Sequence, residues 1–92
     1  MKTALDLVAY PNPATDHVMV SIESEKLIPA RIWLLDMNGR KVRDLKINLF
    51  TGKQEVRIDL SNLETGMYIL QLIARNRSDS SKLLNSSKLI KS

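Results

Sequence analysis

Apolar and polar residues alternate along most of this chain with a period close to two, which is the pattern of β-strands. The alternation is clear from Val18 to Ile22 and from Val56 to Leu60, where every second residue is apolar. The segment from Met67 to Arg75 is apolar on both faces, which favours a position at the centre of a sheet. No segment has the 3.6-residue period of a convincing helix.

Turn-forming residues separate these segments. Pro11 and Pro13 end the first strand. Because each proline fixes its own φ angle, we expect them to hold the chain extended between two strands. The segment Asp36–Arg40 predicts a tight hairpin in which Asn38 and Gly39 supply the positive φ angles that such turns require.

One position breaks the alternation. Val42 is out of step with Leu45 and Ile47, so we expect a β-bulge near Arg43-Asp44. With turn signals every 8–12 residues or so, the chain holds about seven short strands. We therefore predict an all-β fold, an immunoglobulin-like antiparallel β-sandwich. A mixed α+β fold is the weaker alternative.

The chain has 92 residues, enough for one domain and too few for a doubly wound or barrel enzyme. We predict a single domain over residues 1–92. Within it, residues 1–9 form the first strand or the end of a linker, and residues 10–75 form the sandwich body. A polar loop is expected at 76–87 and a terminal strand at 88–91.

The net charge of +4 lies at one end of the chain. Residues 1–74 carry equal numbers of acidic and basic side chains, so the excess belongs to residues 75–92. Those residues include no aromatic side chain on which a base could stack, and we predict no nucleic-acid partner. Five cations spread along such a segment are more typical of a solvated strand edge.

Catalytic and metal-binding chemistry has few candidates. The chain has no cysteine and a single histidine, His17, with no serine and carboxylate arrangement around it. The fragment Asp36–Gly39 lacks the remaining ligands of a calcium loop. We predict no enzyme activity, catalytic residue, metal site or cofactor. No apolar run is long enough to span a bilayer, and the start does not resemble a signal peptide. The protein therefore either stays inside the cell or is a piece of a longer exported polypeptide.

Four motifs occur in the same order as in a known family. They are Tyr10–Asp16, Ile32–Val42, Ile58–Tyr68 with the pattern Asp-Leu-Ser-x-Leu-x-x-Gly-x-Tyr, and Lys88–Lys91. In this order they resemble the type A C-terminal sorting domain of the bacterial type IX (Por) secretion system. The residues of the first three motifs that carry the resemblance are Pro11, Asn12, Pro13, Asp36, Gly39, Arg40, Asp59, Leu60, Leu63, Gly66 and Tyr68.

The resemblance implies the non-catalytic tail of a larger exported protein. Such a tail passes through the periplasm, is recognised by the type IX outer-membrane machinery and directs its cargo to the cell surface or the medium. A sortase-like cysteine protease then removes it, with the cut expected in or upstream of Met1–Ala9. The resemblance also implies that the terminal strand, Lys88, Leu89, Ile90 and Lys91, binds the machinery.

The motif residues also have structural explanations. Gly66 allows a sharp turn, and Tyr68 is placed to bury its ring while its hydroxyl bonds a nearby backbone group, as in a tyrosine corner. For the terminal strand we expect main-chain addition to a partner sheet, steered to an acidic receptor by Lys88 and Lys91. Self-association through exposed strand edges is a further expectation.

Two other functions remain open from the sequence. An adhesive or carbohydrate-binding sandwich module of a secreted protein would need an exposed aromatic platform, for which Trp33 and Tyr10 are the candidates. A plain structural spacer would need neither a ligand nor export.

Overall fold

The computed structural model describes residues 5–25, 27–75 and 81–92. Its regular structure is entirely β-sheet, and no helix occurs among the residues described. In chain order the strands are β1 (Leu5–Tyr10), β2 (His17–Ser24), β3 (Ile28–Leu35), β4 (Lys41–Leu49), β5 (Gly52–Asp59), β6 (Gly66–Arg75) and β7 (Ser81–Lys91).

The strands form two antiparallel sheets, in the orders β1-β2-β5 and β4-β3-β6-β7. Every second side chain of each strand points between the sheets, as the period of two predicts. The core that results is almost wholly aliphatic and inaccessible to solvent; its largest members are Ile22, Ile32, Leu34, Leu49, Ile58, Leu60, Leu70, Leu72 and Leu89. The predicted all-β sandwich is confirmed.

Strand β6 has a neighbour on each side, β3 and β7, which agrees with its apolar character on both faces. The position of β4 differs from the constant-type immunoglobulin domain, where the fourth strand joins the sheet of the fifth. Here β4 pairs with β3, with Trp33 opposite Asp44. The outer edges of β4 and β5 therefore lie on one side of the sandwich. On the other side, Cα atoms of β1 and β7 come within 8 Å of each other.

The β3–β4 hairpin lies where the sequence predicts it, but its turn differs. Only Gly39 has a positive φ, 86°, and the prediction for Asn38 is wrong. The turn is closed by two hydrogen bonds, from Asp36 N–H to the Arg40 carbonyl (2.9 Å) and from Gly39 N–H to the Asp36 carbonyl (3.0 Å). A three-residue connection of this kind needs one left-handed residue, whereas a two-residue type I′ turn needs two.

The bulge in β4 lies one residue earlier than expected. Leu34 pairs with Arg43 and Leu35 pairs with Lys41, so Val42 is the extra residue. Val42 packs against the core from this position. Arg43 is the next residue of β4, and its guanidinium extends to the end of β5 in the other sheet.

The predicted polar loop over 76–87 is wrong from Ser81 onward. Strand β7 begins at Ser81 and pairs with β6 along its whole length, with Leu84 as a bulged residue between Leu83 and Asn85. Strand pairing satisfies the backbone whatever the side chains are, so a serine-rich sequence can form an edge strand. The terminal strand is therefore longer than the predicted 88–91, and residues 76–80 lie outside the described part of the chain.

Candidate docking site at the terminal strand

The four residues predicted to bind a partner are divided between two environments. Leu89 is 0% exposed and belongs to the core, so it is not available to a partner of the folded domain. Lys88 and Ile90 lie on the outer face of the four-stranded sheet, and Ile90 is 43% exposed. Lys91 is half-buried, with its Nζ 3.5 Å from the Ser92 carbonyl oxygen.

The outer edge of β7 is bonded to the first motif over its last residues. Asn12 Nδ2 donates to the Lys88 carbonyl (3.2 Å), and Ile90 N–H donates to Asn12 Oδ1 (3.0 Å). The Asn12 amide thus takes the place of a peptide group of a neighbouring strand. Ala14 continues the contact with two hydrogen bonds of 2.8 Å. Its N–H donates to the Ile90 carbonyl, and the Ala14 carbonyl accepts from the Ser92 N–H. We call these contacts of Asn12 and Ala14 with β7 the Asn12 clamp.

The Asn12 clamp gives the residues of the first motif a structural role. Pro11 to Pro13 bend instead of running extended as predicted, and both prolines follow cis peptide bonds. The bend brings Ala14, which is 0% exposed, into a parallel bridge with Lys91. The first and last motifs are therefore one structural unit. Sequence reasoning missed the partner of Asn12 because no local pattern indicates a contact 78 residues along the chain.

The second motif builds the β3–β4 hairpin. Asp36 Oδ1 accepts from the backbone N–H groups of Asn38 and Arg40, each at 2.9 Å. These bonds, led by that from the Arg40 N–H, lower the pKa of Asp36 below its ordinary value. Arg40 adds a longer contact from Nε to Asp36 Oδ2 of 3.4 Å on an exposed surface. Asp36, Gly39 and Arg40 therefore shape a turn.

The third motif builds the connection from β5 to β6. Asp59 accepts from the backbone N–H and the hydroxyl of Ser61, each at 3.0 Å, and the bond from the N–H is the main cause of its lowered pKa. Leu60 is buried, and its N–H donates to the Asp16 carbonyl (2.8 Å). Leu63 packs against the core. Asn62 takes the left-handed conformation, with a φ of 69°, which asparagine tolerates better than most residues.

Tyr68 is the tyrosine corner that the sequence predicts. Its ring is 6% exposed, and its hydroxyl donates to the Glu64 carbonyl four residues upstream. Gly66, which begins β6, lies between the two. The corner fixes the entry of the chain into β6, the strand with which β7 pairs.

Arg43 links the two sheets, and sequence reasoning did not single it out. Its Nε donates to the Asp59 carbonyl (2.8 Å) and its Nη2 to the Ser61 carbonyl (2.9 Å). The planar guanidinium donates from two different nitrogens along one edge, a geometry that the single ammonium nitrogen of lysine does not provide. The only sequence signal is that Arg43 stands in phase with Leu45, Ile47 and Leu49, the apolar positions of its own strand.

The two predicted platform residues, Tyr10 and Trp33, do not form a common platform. Tyr10 lies on the outer face of the three-stranded sheet, where its hydroxyl donates to Glu55 and this bond raises its pKa. Trp33 lies on the outer face of the other sheet, under the Lys41 ammonium, which is 4.3 Å from the ring centroid. The two rings are on opposite sides of the sandwich, which removes the geometric basis of a carbohydrate platform.

His17 and the acidic side chains are the remaining candidates for catalytic or metal-binding chemistry. His17 Nδ1 is 2.9 Å from Asp16 Oδ1, and this hydrogen bond lowers the pKa of Asp16. Within residues 5–25, 27–75 and 81–92, no three His, Asp or Glu side chains are grouped closely enough to hold a metal ion. The same residues include no helix of the length and apolarity needed to cross a membrane.

The same fold occurs in a protein of known structure. In a crystal structure of dimeric latent PorU from Porphyromonas gingivalis, a region with the same fold matches this chain with a TM-score of 0.82 and 18% sequence identity. The match covers 95% of this chain and 9% of that one, so this chain spans a small part of the length of PorU. No curated protein sequence matches the chain.

A family model also matches. The model described as "Secretion system C-terminal sorting domain" covers residues 8–86, which include the first three motifs and the first half of β7. Because this range is most of the chain, the chain belongs to the family of secretion system C-terminal sorting domains, the sorting signals of type IX secretion.

Proposed function

We propose that this domain is recognised in its folded form by the type IX outer-membrane machinery, through side chains of the terminal strand. The sorting-domain family is not catalytic, and a protein that carries its signal is exported to the cell surface or secreted. Passage through the periplasm, recognition there, and removal by a sortase-like cysteine protease are parts of the proposal. In it the domain contributes no catalytic residue and needs no cofactor.

The observation that carries the proposal is that both edges of β7 are already hydrogen-bonded near its end. Its inner edge pairs with β6, and its outer edge is bonded by Asn12 and Ala14 from Lys88 to Ser92. Main-chain addition of these residues to a partner sheet, which the sequence suggested, would require the Asn12 clamp to open. Side-chain recognition needs no such opening, because Lys88 and Ile90 already lie on the surface.

The charges of Lys88 and Lys91 also support recognition through the terminal strand. Lys88 has no carboxylate partner within salt-bridge distance among the described residues. Its ammonium is therefore free to attract an acidic receptor surface and to speed the encounter. Lys91, at the end of the same strand, adds a second cation.

The pairing of β1 with β2 supports a cleavage site that precedes the strand. Leu5 pairs with Ser24 at the first described position of the strand, and the pairing continues to Tyr10 opposite Met19. A protease would have to separate β1 from β2 to cut within it. We therefore place the cut on the N-terminal side of Leu5. Mass spectrometry of the cargo released from cells would locate it, and a cut between Leu5 and Tyr10 would contradict this placement.

Self-association through strand edges has weaker support. On the side of β4 and β5, Arg43 bonds the end of β5, and Gln54 Nε2 donates to the Asn48 carbonyl (3.1 Å). On the other side the clamp bonds the end of β7. Side chains that bridge or cover edges are a common protection against edge pairing. A homodimer therefore takes second place to a heterologous partner.

The experiment is a secretion assay with point variants. Residues 1–92 are fused behind a signal-peptide-bearing reporter in a type IX-competent bacterium, and the reporter in the medium and on the cell surface is measured. Deletion of Lys88–Ser92 would not discriminate, because it removes buried Leu89 and the strand that pairs with β6. The double variant Lys88→Ala/Lys91→Ala keeps the backbone and the core.

The matched control is Lys53→Ala/Arg57→Ala, which removes two exposed cations from β5 of the other sheet. We expect the terminal pair to lower export severalfold while the control exports like the wild type, with both variants unfolding at the wild-type temperature. Equal export of the two variants would refute the role of the terminal strand. Failure of the wild-type fusion to be exported would refute the proposed function.

A further inference from the structure

The outer face of the four-stranded sheet carries a group of apolar side chains that nothing in the described structure covers. Leu35 of β3 pairs with Ile69 of β6, and Met67 of β6 pairs with Ile90 of β7. Met67 and Ile90 are 39% and 43% exposed, and the other two are half-buried. We call Leu35, Met67, Ile69 and Ile90 the outer apolar patch. It is continuous with the terminal strand through Ile90.

The charged residues that share this face with the patch are mainly cationic. Lys88 stands opposite Ile69, Lys41 stands opposite Leu35, and Lys46 lies farther along β4 opposite Arg31. Among the described residues, the one acidic side chain paired into this face is Asp44, whose Oδ2 accepts from Arg31 (2.9 Å) and from Lys41 (3.2 Å). Neither Lys46 nor Lys88 has an ion-pair partner among the described residues.

Two buried nitrogen atoms on the same face also lack an acceptor. Among the described residues, Arg31 Nε and Trp33 Nε1 have no hydrogen-bond partner. Buried donors are satisfied in nearly all folded proteins, so such atoms call for an explanation. Because both atoms are inaccessible to solvent, an acceptor from a partner would reach them only if the side chains that cover them move.

We propose that this face is the docking surface for a protein partner that presents apolar side chains bordered by carboxylates. Apolar side chains of the partner would cover the patch, and its carboxylates would meet Lys46 and Lys88, since interfaces place an apolar centre within a polar rim. A second copy of the chain fits less well, because a symmetric contact would oppose the same cations. The inference rests on the proposed function and extends its recognition surface from β7 across β6 and β3.

The secretion assay tests this surface with two matched double variants. Met67→Glu/Ile90→Glu changes one methionine and one branched residue on adjacent strands of the outer face. Met19→Glu/Val8→Glu makes the same kind of change on the outer face of the three-stranded sheet, where Val8 is 57% exposed. We expect the first variant to lower export by about tenfold or more, as loss of an interface centre does, and the second to export like the wild type.

Charge is tested separately with Lys46→Glu and its control Lys53→Glu, which lie on the edge strands β4 and β5. We expect Lys46→Glu to reduce export and Lys53→Glu to leave export unchanged. Only a glutamate at position 46 would repel a carboxylate of the partner. All variants are first compared by thermal unfolding, so that only those with wild-type stability are interpreted. If Met67→Glu is destabilising, Met67→Gln/Ile90→Gln against Met19→Gln/Val8→Gln gives the same comparison.

Each outcome has one interpretation. Equal export by the outer-face and control variants, while the wild-type fusion is exported, overturns this inference and leaves the proposed function standing. Loss of export with the apolar variant but not with Lys46→Glu overturns the acidic character of the partner. A dimer of the purified chain in sedimentation equilibrium that Met67→Glu/Ile90→Glu abolishes would assign the face to a second copy and overturn the proposal.

Discussion

The substitution Asn12→Ala tests the clamp between the first and last motifs. It removes one hydrogen bond donated to the Lys88 carbonyl and one accepted from the Ile90 N–H. A neutral hydrogen bond contributes about 0.5–1.5 kcal/mol net, and these two are near the surface, where water can replace part of the loss. We therefore expect the free energy of unfolding to fall by about 1.5 kcal/mol, which lowers the Tm of a domain of this size by roughly 6–12 °C.

Urea unfolding followed by circular dichroism measures the loss, with Thr15→Ala as the control. Thr15 lies in the same segment and is exposed, and its side chain makes no hydrogen bond to any described residue. Hydrogen exchange locates the effect. The Ile90 amide, which faces Asn12, is expected to exchange about tenfold faster in Asn12→Ala. The Leu89 amide, which by strand alternation faces β6, is expected to change less.

The result that would refute this reasoning is specific. If Asn12→Ala and Thr15→Ala unfold at the same urea concentration and the Ile90 amide keeps its protection, Asn12 does not hold β7. The Lys88 carbonyl and the Ile90 N–H would then be available to a partner, and only the backbone bonds of Ala14 to Ile90 and Ser92 would close the outer edge of β7. Main-chain addition to a partner sheet would again be the simpler mechanism of docking.

Three further outcomes follow from individual contacts. Tyr68→Phe keeps the buried ring and loses the hydroxyl bond to the Glu64 carbonyl, so the free energy of unfolding measured in urea is expected to fall by about 1 kcal/mol; an unchanged value would contradict the tyrosine corner. Leu89→Ala is expected to cost about 2–5 kcal/mol in the same assay and Ile90→Ala less than about 1 kcal/mol, and similar costs would contradict the assigned faces of β7. Because hydrogen bonds lower the pKa of Asp36, its contribution to stability is complete at neutral pH and is lost as the pH falls below about 4. Asp36→Asn should therefore unfold with a weaker dependence on pH in the acid range, and an unchanged acid dependence would contradict the role of this carboxylate.

The sequence by itself determined the elements and the class of fold. Alternation with a period of two is a local property of the chain, so Val18 to Ile22 and Val56 to Leu60 predict strands without knowledge of their neighbours. The same holds for the Asp36 turn and the Tyr68 corner, whose partners are four residues away. Contacts of this range are visible in a short stretch of sequence.

The tertiary structure decided what depends on distant pairing. Polarity alone indicated a loop at Asn85–Ser87, but pairing with β6 makes these residues a strand. The sequence marked Lys88 to Lys91 as one docking strand, and the sandwich divides it, with Leu89 in the core and Ile90 on the surface. Which edge is open could not be read from the chain either, because the Asn12 amide closes β7 from 78 residues away. Local patterns specify the period of a strand, but only the folded arrangement of sheets specifies its neighbours and its exposed face.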